Sequence, residues 1–584
     1  MTATLGVCVF PEPAKNAPRV VRHANYIHEI LGHAGLCYET LDFEALPTAF
    51  QDGLRVLLTI GEYALPDAIK APLTAWIKNG GAWLSIAGLC DMDEILGAVP
   101  VAPSYVSWGG KLRSLGEGYF KVTQEAHPVF HNLSRPLHFF GGITVEATSA
   151  TCLATVLDAH GNPTATPALL ENRRGAGRTL LLAPDVTGTV VHIQQGIAVT
   201  RDGISSPDGT APVNDGILKS DDGQVLDWLL DRDEVPGVPG LHLFLQPIAD
   251  QWQGLLLRAL FYLAEQQNAA LSLLWYYPDN LPALGHLSLD SDGNDPEQAY
   301  RLLEVLEQAE IVTTWCIICP GYEREVIEAI KQGGHELAMH FDALSEDCLW
   351  NEEQFDHQWR QLCQLFGTMP VTNKNHYLRW EGDTEFFKWC LRRGLMMDQS
   401  KGASKTGEAG FNFGTCHPYR PVTPDDTVLP VYELTTPTQD LLVFAPAEIA
   451  PLLLETVLKQ HGILHLLFHP AHIEKEDVAR VLLNAVHQGK ARGLSWWTAQ
   501  DITQWETARR SATWSVSPDG IMLTASTEAS LSCATLLVLA PKASELKING
   551  EVVETSCVKR WGFSFYSIVC DVNGGESLQI EVSP

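Results

Sequence analysis

"HLSLDSDGND", residues 286–295, is the stretch on which the fold turns. Polar and apolar residues alternate from His286 to Asp290, the period of a strand. The run ends in two carboxylates one residue apart, Asp290 and Asp292, and then Gly293. Either this pair holds a metal and moves a proton, or it is an acidic turn after a strand.

The residues downstream favour a metal and a proton. Helix "PEQAYRLLEVLEQAE" leads to strand "IVTTWCII", helix "YEREVIEAIKQGG", strand "HELAMH" and helix "NEEQFDHQWRQLCQLFG". The same rhythm continues through "PVTNKNH", "TEFFKWCLRRG", "LMMDQ", a long Gly-rich loop, "VLPVYEL", "PAEIAPLLLETVLKQ", "ILHLLFH", "KEDVARVLLNAVHQ" and "GLSWW". About eight βα repeats over residues 275–505 predict a closed or nearly closed (β/α) barrel, whose chemistry sits where the strands end. Polar residues do gather there: Asp290 and Asp292, His340 and Asp342, Asn375 and His376, Asp398, and His469.

On the N-terminal side, strands "TLGVCVF", "VLLTIG" and "AWLSIAG" alternate with helical "APRVVRHANYIHEILGHAG" and "LPDAIKAPLTAWIKNGG", which predicts βαβ units and a parallel sheet. Beyond residue 100 the pattern turns β-rich, and an amphipathic helix over 250–267 closes this half. The tail alternates short strands with Asp519-Gly520 and Asn549-Gly550 turns, the pattern of a small antiparallel β-sandwich. The expected domains are therefore 1–270, 271–509 and 510–584.

Seventy acidic against forty basic residues leave a net charge of −30, which repels phosphate backbones and anionic lipid and excludes nucleic acid as a partner. No window of about 20 apolar residues offers a membrane span. The opening "MTATLGVCVFPEPAKN" lacks a basic region and meets Pro11 and Pro13 early, unlike a secretion signal. Thirteen scattered cysteines suit a reducing compartment, so a cytoplasmic location is expected. Cys316 and Cys319 have C-x-x-C spacing but no second pair nearby, and read as buried strand residues.

Two resemblances sharpen these expectations. Through "WIKNGGAWLSIAG" and "HPVFHNLSRPLHFFGG" the first 250 residues resemble the flavodoxin-like class I glutamine-amidotransferase fold, of the ThuA-like and trimerisation type. Cys90 in "AGLCDMD" lacks the second glycine of a nucleophile turn and no suitable H-x-E comes after it, so this domain is expected to be non-catalytic, with a possible role in homo-oligomer formation. Through "LSLDSDGN", "GGHELAMHFDAL" and "LHLLFHPAH", in that order, the barrel resembles the NodB-type carbohydrate esterases, the polysaccharide deacetylases.

That resemblance implies Asp290 as general base, Asp292 and His340 as metal ligands, and His469 as the acid that protonates the leaving amine, with Ser291 inserted between the aspartates. The family's second metal histidine, four residues after the first, falls on Leu344. Asp342 is a substitute ligand, and His376 or His469 could reach across the barrel mouth. Lys374, His376 and Arg379 are candidates for orienting carboxylates or sugar hydroxyls, Asp398 for tethering one of them, and His417 with its aromatic neighbours for a sugar-binding wall. His335 is expected to hydrogen-bond at its strand start.

Two other motifs fail on spacing. "DSDGND" has Asp295 where an EF-hand needs glycine and Arg301 where it needs glutamate. The histidines of "HELAMH" are five apart on a strand, on opposite faces.

The expected function is a divalent-metal hydrolase, with zinc as the metal, that removes an acyl group from an amino sugar or other carbohydrate-containing substrate. Two alternatives stand beside it: a carbohydrate-binding scaffold that has lost catalysis, for which Leu344 argues, and an amidohydrolase acting on a non-sugar amide.

Overall fold

A computed structural model describes residues 3–11, 20–101, 113–213, 216–345, 349–517, 520–542 and 545–583. The chain packs as two compact units, each built from separate stretches. One comprises Met1–Val190, Gln251–Asn280 and Thr507–Pro584; the other comprises Val191–Asp250 and Leu281–Glu506. Residues 191–250, grouped with the first domain on sequence, thus belong with the barrel strands.

The first unit is organised on a nine-stranded mixed sheet. Glu39–Thr40, Leu5–Val9, Val56–Ile60, Ala82–Ile86 and Gly177–Leu182 run parallel in that order. Pro163–Arg174, Thr151–Asp158, Glu117–Val122 and Leu137–Phe140 continue it antiparallel. "VLLTI" and "AWLSI" are buried along their whole length, as parallel strands covered on both faces must be. Helices Tyr26–His33 and Asp67–Lys78 supply crossovers between them.

The tail builds two antiparallel sheets. One pairs Leu271–Leu274, Leu531–Leu539, Phe563–Val572 and Ser556–Arg560; the other pairs Thr513–Ser517, Gly520–Thr524, Ser577–Ser583, Glu545–Ile548 and Glu551–Val552. At Asn549-Gly550 both φ angles are positive, 53° and 82°, which suits the twist of a two-residue hairpin. The other expected turn includes Asp519, outside the described residues.

The second unit carries eight parallel strands: β1 (Leu284–Asp290), β2 (Thr314–Ile318), β3 (Glu336–Phe341), β4 (Thr372–Asn375), β5 (Met397–Asp398), β6 (Tyr432–Glu433), β7 (Ile463–Phe468) and β8 (Ser495–Trp496). They pair in the order β6-β5-β4-β3-β2-β1-β7, with β8 beside the start of β1. The expected ring is incomplete. Among the described residues β6 and β7 are not paired, and an isolated parallel bridge, Gln439 to Leu467, joins β7 to the chain beyond β6 in place of a ladder. Two-residue strands at β5 and β6 leave too few ladder bonds to close it.

Alternation along β1 explains its sequence. Leu287 and Leu289 join an apolar core with Leu302, Val305 and Leu306 of helix Pro296–Ala309, while His286, Ser288 and Asp290 take the opposite face. That face is polar and dry. Lys374 of β4 donates to Ser288 Oγ, Ser288 lies 2.8 Å from His465 Nε2 of β7, and His286 Nε2 lies 2.8 Å from the Gln399 amide. Asp295 caps the following helix by accepting from the backbone of Glu297 and Gln298, ahead of Pro296 at the first helical position. His335 accepts from Thr313 N at 3.1 Å at the start of β3, as expected.

Candidate active site

Strand β1 ends at Asp290, and the chain then turns with Asp292 at φ 35°, a left-handed conformation that aspartate tolerates. Ser291 holds this turn. Its Oγ accepts from Ile318 N at 3.0 Å and donates to Asn294 Oδ1 at 2.8 Å, and Asn294 Nδ2 donates to Ile318 O. The residue inserted between the aspartates therefore ties their loop to the end of β2.

Two histidines face Asp292 from neighbouring strands. His340 on β3 donates from Nδ1 to Lys374 O at 2.9 Å, which directs Nε2 to 3.4 Å from Asp292 Oδ1 and 3.8 Å from Asp290 Oδ2. His376, just past β4, donates from Nδ1 to Asp342 Oδ1 at 3.1 Å, which directs its Nε2 to 3.7 Å from the same Asp292 oxygen. With Nδ1 holding the proton, each Nε2 presents a lone pair to a carboxylate, and that arrangement needs a positive charge between them. His340 Nε2 is buried and has no hydrogen-bond partner among the described residues.

One ligand atom from each of Asp292, His340 and His376 lies within 4.8 Å of the others. A divalent cation fits this donor set: one carboxylate oxygen and two imidazoles, each with its outer nitrogen anchored, leaving further positions open. In the protein alone, protons meet the same need. Burial disfavours charge on His340, but Asp290 and Asp292 outweigh it and raise its pKa. Burial likewise opposes ionisation of Asp292, yet the three histidines bring its pKa down to about 2.

On the far side of Asp292, His469 Nε2 lies 3.6 Å from Oδ2. Its Nδ1 donates to the buried carboxylate of Asp440, which also accepts from His469 N at 2.8 Å and lies 3.2 Å from His472 Nδ1. Burial works against protonation of His469, but Asp440 first, then Asp290 and Asp292, raise its pKa to about 9. Asp290 is itself flanked by a buried ammonium, Lys374 Nζ, at 3.4 Å. Of these groups, Asp290, Asp292, His469 and His472 line a cleft of about 420 Å³, together with Lys219, Tyr377 and Phe444 among others.

The structure thus brings Asp290, Asp292, His340, His376 and His469 together, and it sets Asp342, Asp398, Arg379 and His417 outside that group. Asp342 stands behind His376 instead of facing the ligand set, because Leu344 N, Ser345 Oγ and His376 Nδ1 occupy its oxygens. His376, a candidate on sequence both for substrate contact and for reaching across the barrel mouth to a metal, lies with one ring nitrogen close to the ligand atoms of Asp292 and His340. Asp398 is fully buried and bonded to Asn373 and Ser400, and Arg379 pairs with Glu381; neither lines the cleft. His417 sits at the opposite end of the barrel. Its neighbour Cys416 accepts from Ile463 N at the start of β7, whereas His469 comes just after the end of that strand, roughly 20 Å away at about 3.3 Å per residue.

Sequence reasoning misses Asp440 and His472. Asp440 lies beyond the end of β6, where the rule of polar strand ends, carried a few residues further, would find it. His469 and His472 are three apart on the short turn Pro470–Ile473 and its cap, and so reach the same carboxylate.

No protein-family profile matches the chain, and no curated protein matches it in sequence. Solved structures show partial likeness. A Mycobacterium smegmatis protein described as a polysaccharide deacetylase is 18% identical over 41% of this chain and 94% of its own, with a TM-score of 0.33. Puue allantoinase is 14% identical over 40% and 93%, at 0.32. A CE4 family pseudoenzyme from Bacillus anthracis is 13% identical over 39% and 66%, at 0.25.

Proposed function

We propose that the chain is a divalent-metal hydrolase that removes an acyl group, acetyl in the simplest case, from an amino sugar or other carbohydrate-containing substrate. The observation that carries this reading is the convergence of one carboxylate and two imidazoles, Asp292, His340 and His376, beside a second carboxylate, Asp290, and a third imidazole, His469. A zinc ion held by Asp292, His340 and His376 would supply Lewis-acid polarisation of the acyl carbonyl and a more acidic water.

The chain's own groups account for the proton traffic. Asp290, steadied by Lys374, takes a proton from the attacking water. His469, its Nδ1 held by Asp440, gives its Nε2 proton to the departing nitrogen as the carbon–nitrogen bond breaks. Asp440 holds that imidazolium in place through Nδ1. The acyl carbon keeps the water oxygen and leaves as the acid.

The scaffold alternative rests on Leu344; His376, just past the next strand, lies near Asp292 and His340 and supports the hydrolase reading instead. For the first unit we keep a non-catalytic role. Cys90 is buried, its thiol is pushed well above the usual range by burial and by Glu62, and its N–H points to Glu62.

The test is zinc content together with acetate release from N-acetylated amino sugars, for wild type, Asp290→Asn and His376→Ala. Stoichiometric zinc in wild type, lost in His376→Ala, and turnover abolished in Asp290→Asn support the reading. Absence of zinc after addition of divalent ions, or full turnover by Asp290→Asn, overturns it.

A further inference from the structure

We infer that Asp250, Cys416 and His417 form a buried zinc site with a structural role, at the opposite end of the barrel from the cleft. It shares no residue with the cleft and does not depend on the hydrolase reading.

The ligands come from two stretches of the second unit, 166 residues apart. Asp250 lies in the first turn of helix Ile248–Gln266, and Cys416 and His417 lie in the long loop between β5 and β6. Gly414 turns that loop at φ 62°, and its carbonyl accepts from Ala249 N at 2.8 Å. A Cβ on Gly414 would lie 2.4 Å from Ile193 Cγ2 and 3.1 Å from Ala249 N, so only glycine lets the loop come this close. Asp250 then accepts from Thr415 Oγ1 and from Cys416 N, both at 2.7 Å, and its Oδ2 lies 3.3 Å from Cys416 Sγ.

His417 Nε2 lies 2.9 Å from Gln460 O; a carbonyl only accepts, so the proton is on Nε2 and Nδ1 carries the lone pair. An outer N–H anchored on a backbone carbonyl is the arrangement of a histidine ligand. One ligand atom from each of the three residues lies within 4.8 Å of the others, and all three residues are buried. A thiolate, an imidazole and a carboxylate make a donor set for zinc, whereas magnesium and calcium take oxygen. Zinc with one thiolate and one carboxylate is neutral overall, which suits a buried site. On binding, the Cys416 thiol proton leaves to solvent and the sulfur joins the metal.

The position gives the ion a task. Among the described residues β6 and β7 are not paired, and the stretch carrying these ligands bridges them. Tyr419 exchanges backbone bonds with Glu433 of β6 at 3.0 and 2.9 Å, and Cys416 O accepts from Ile463 N at the start of β7 at 2.8 Å. A metal holding Cys416 and His417 to Asp250 clamps that bridge and closes a long loop of chain.

The test is cobalt(II) in place of zinc, loaded as the full chain folds by expression in zinc-depleted, cobalt-supplemented medium. A cobalt-bound thiolate gives a near-ultraviolet charge-transfer band, and the cleft, with carboxylate and imidazole ligands, gives none. We expect the band in wild type and in His376→Ala, which loses only the cleft's equivalent of metal. Cys416→Ser should lose the band and one equivalent, and Cys557→Ser, at an exposed cysteine, should keep both. Asp250→Asn and His417→Gln should give up the band at lower chelator concentration than wild type. Melting temperature of each variant identifies a fold defect.

No band in wild type, or a band that survives Cys416→Ser, would overturn the inference. Should Cys416→Ser not fold, a band equally resistant to chelator in Asp250→Asn and His417→Gln would overturn it. Acetate release and the equivalent lost in His376→Ala belong to the hydrolase reading alone, so either proposal can fall without the other.

Discussion

The role of Asp342 can be decided by combining two substitutions. If it orients His376, Asp342→Asn weakens zinc binding by removing the charge that anchors Nδ1, at a cost of roughly 10- to 100-fold in affinity. His376→Ala removes a ligand outright. A four-ligand zinc site is worth about 10–16 kcal/mol, or roughly 3 kcal/mol per ligand, so this change costs on the order of 100-fold or more. Because Asp342 acts through His376, the double variant should bind zinc no more weakly than His376→Ala alone. Affinities are read by competition with a chromophoric zinc chelator at fixed pH. Additive losses would mean that Asp342 ligates independently, as expected on sequence, and unchanged affinity in His376→Ala would refute the ligand set itself.

The same geometry makes further outcomes measurable. His469→Gln should slow amide cleavage by about 10²- to 10⁴-fold while sparing an activated ester such as 4-nitrophenyl acetate, whose leaving group needs no proton; equal losses on both would argue against an acid role. Burial lowers the pKa of His286 to about 4 despite its bonds to Trp497 O and Gln399. A histidine depressed in the folded state keeps the protein stable above its unfolded pKa of about 6.5, and that contribution falls away toward pH 4 by at most about 1.4 kcal/mol per pH unit. Urea midpoints at pH 7 and pH 5 should therefore differ more for wild type than for His286→Gln. Leu289→Ala, fully buried behind Asp290, should cost about 2–5 kcal/mol in denaturant unfolding; a cost under about 1 kcal/mol would contradict the packing. Native protein treated with iodoacetamide should be labelled at exposed Cys557 and spared at Cys90, as read by peptide mass spectrometry.

Much of the second unit is legible in contiguous residues. Alternation in "HLSLD", the Asp295-Pro296 helix start and the spacing of strand-like and helix-like runs are local, and each strand's final residues can be named as site candidates. The candidate site is legible only in part. Asp290, Asp292, His340 and His469 lie at strand ends, but whether Asp342 or His376 faces the ligand set depends on which oxygens Ser345 and Leu344 occupy. His417 misleads because a residue in a long loop carries no local mark of the barrel end to which it returns.

By itself, then, the sequence determined the succession of strands and helices, the net negative charge, and the carboxylate pair on β1, since periodicity and composition act over neighbouring residues. Only the tertiary structure decided that β4 supplies the second histidine, that Asp440 reaches His469 from beyond β6, and that Lys219 enters the cleft from a segment preceding every barrel strand. Those juxtapositions join residues 29 to about 70 or more positions apart, and they are set by strand order and side-chain direction, which no single stretch of chain encodes.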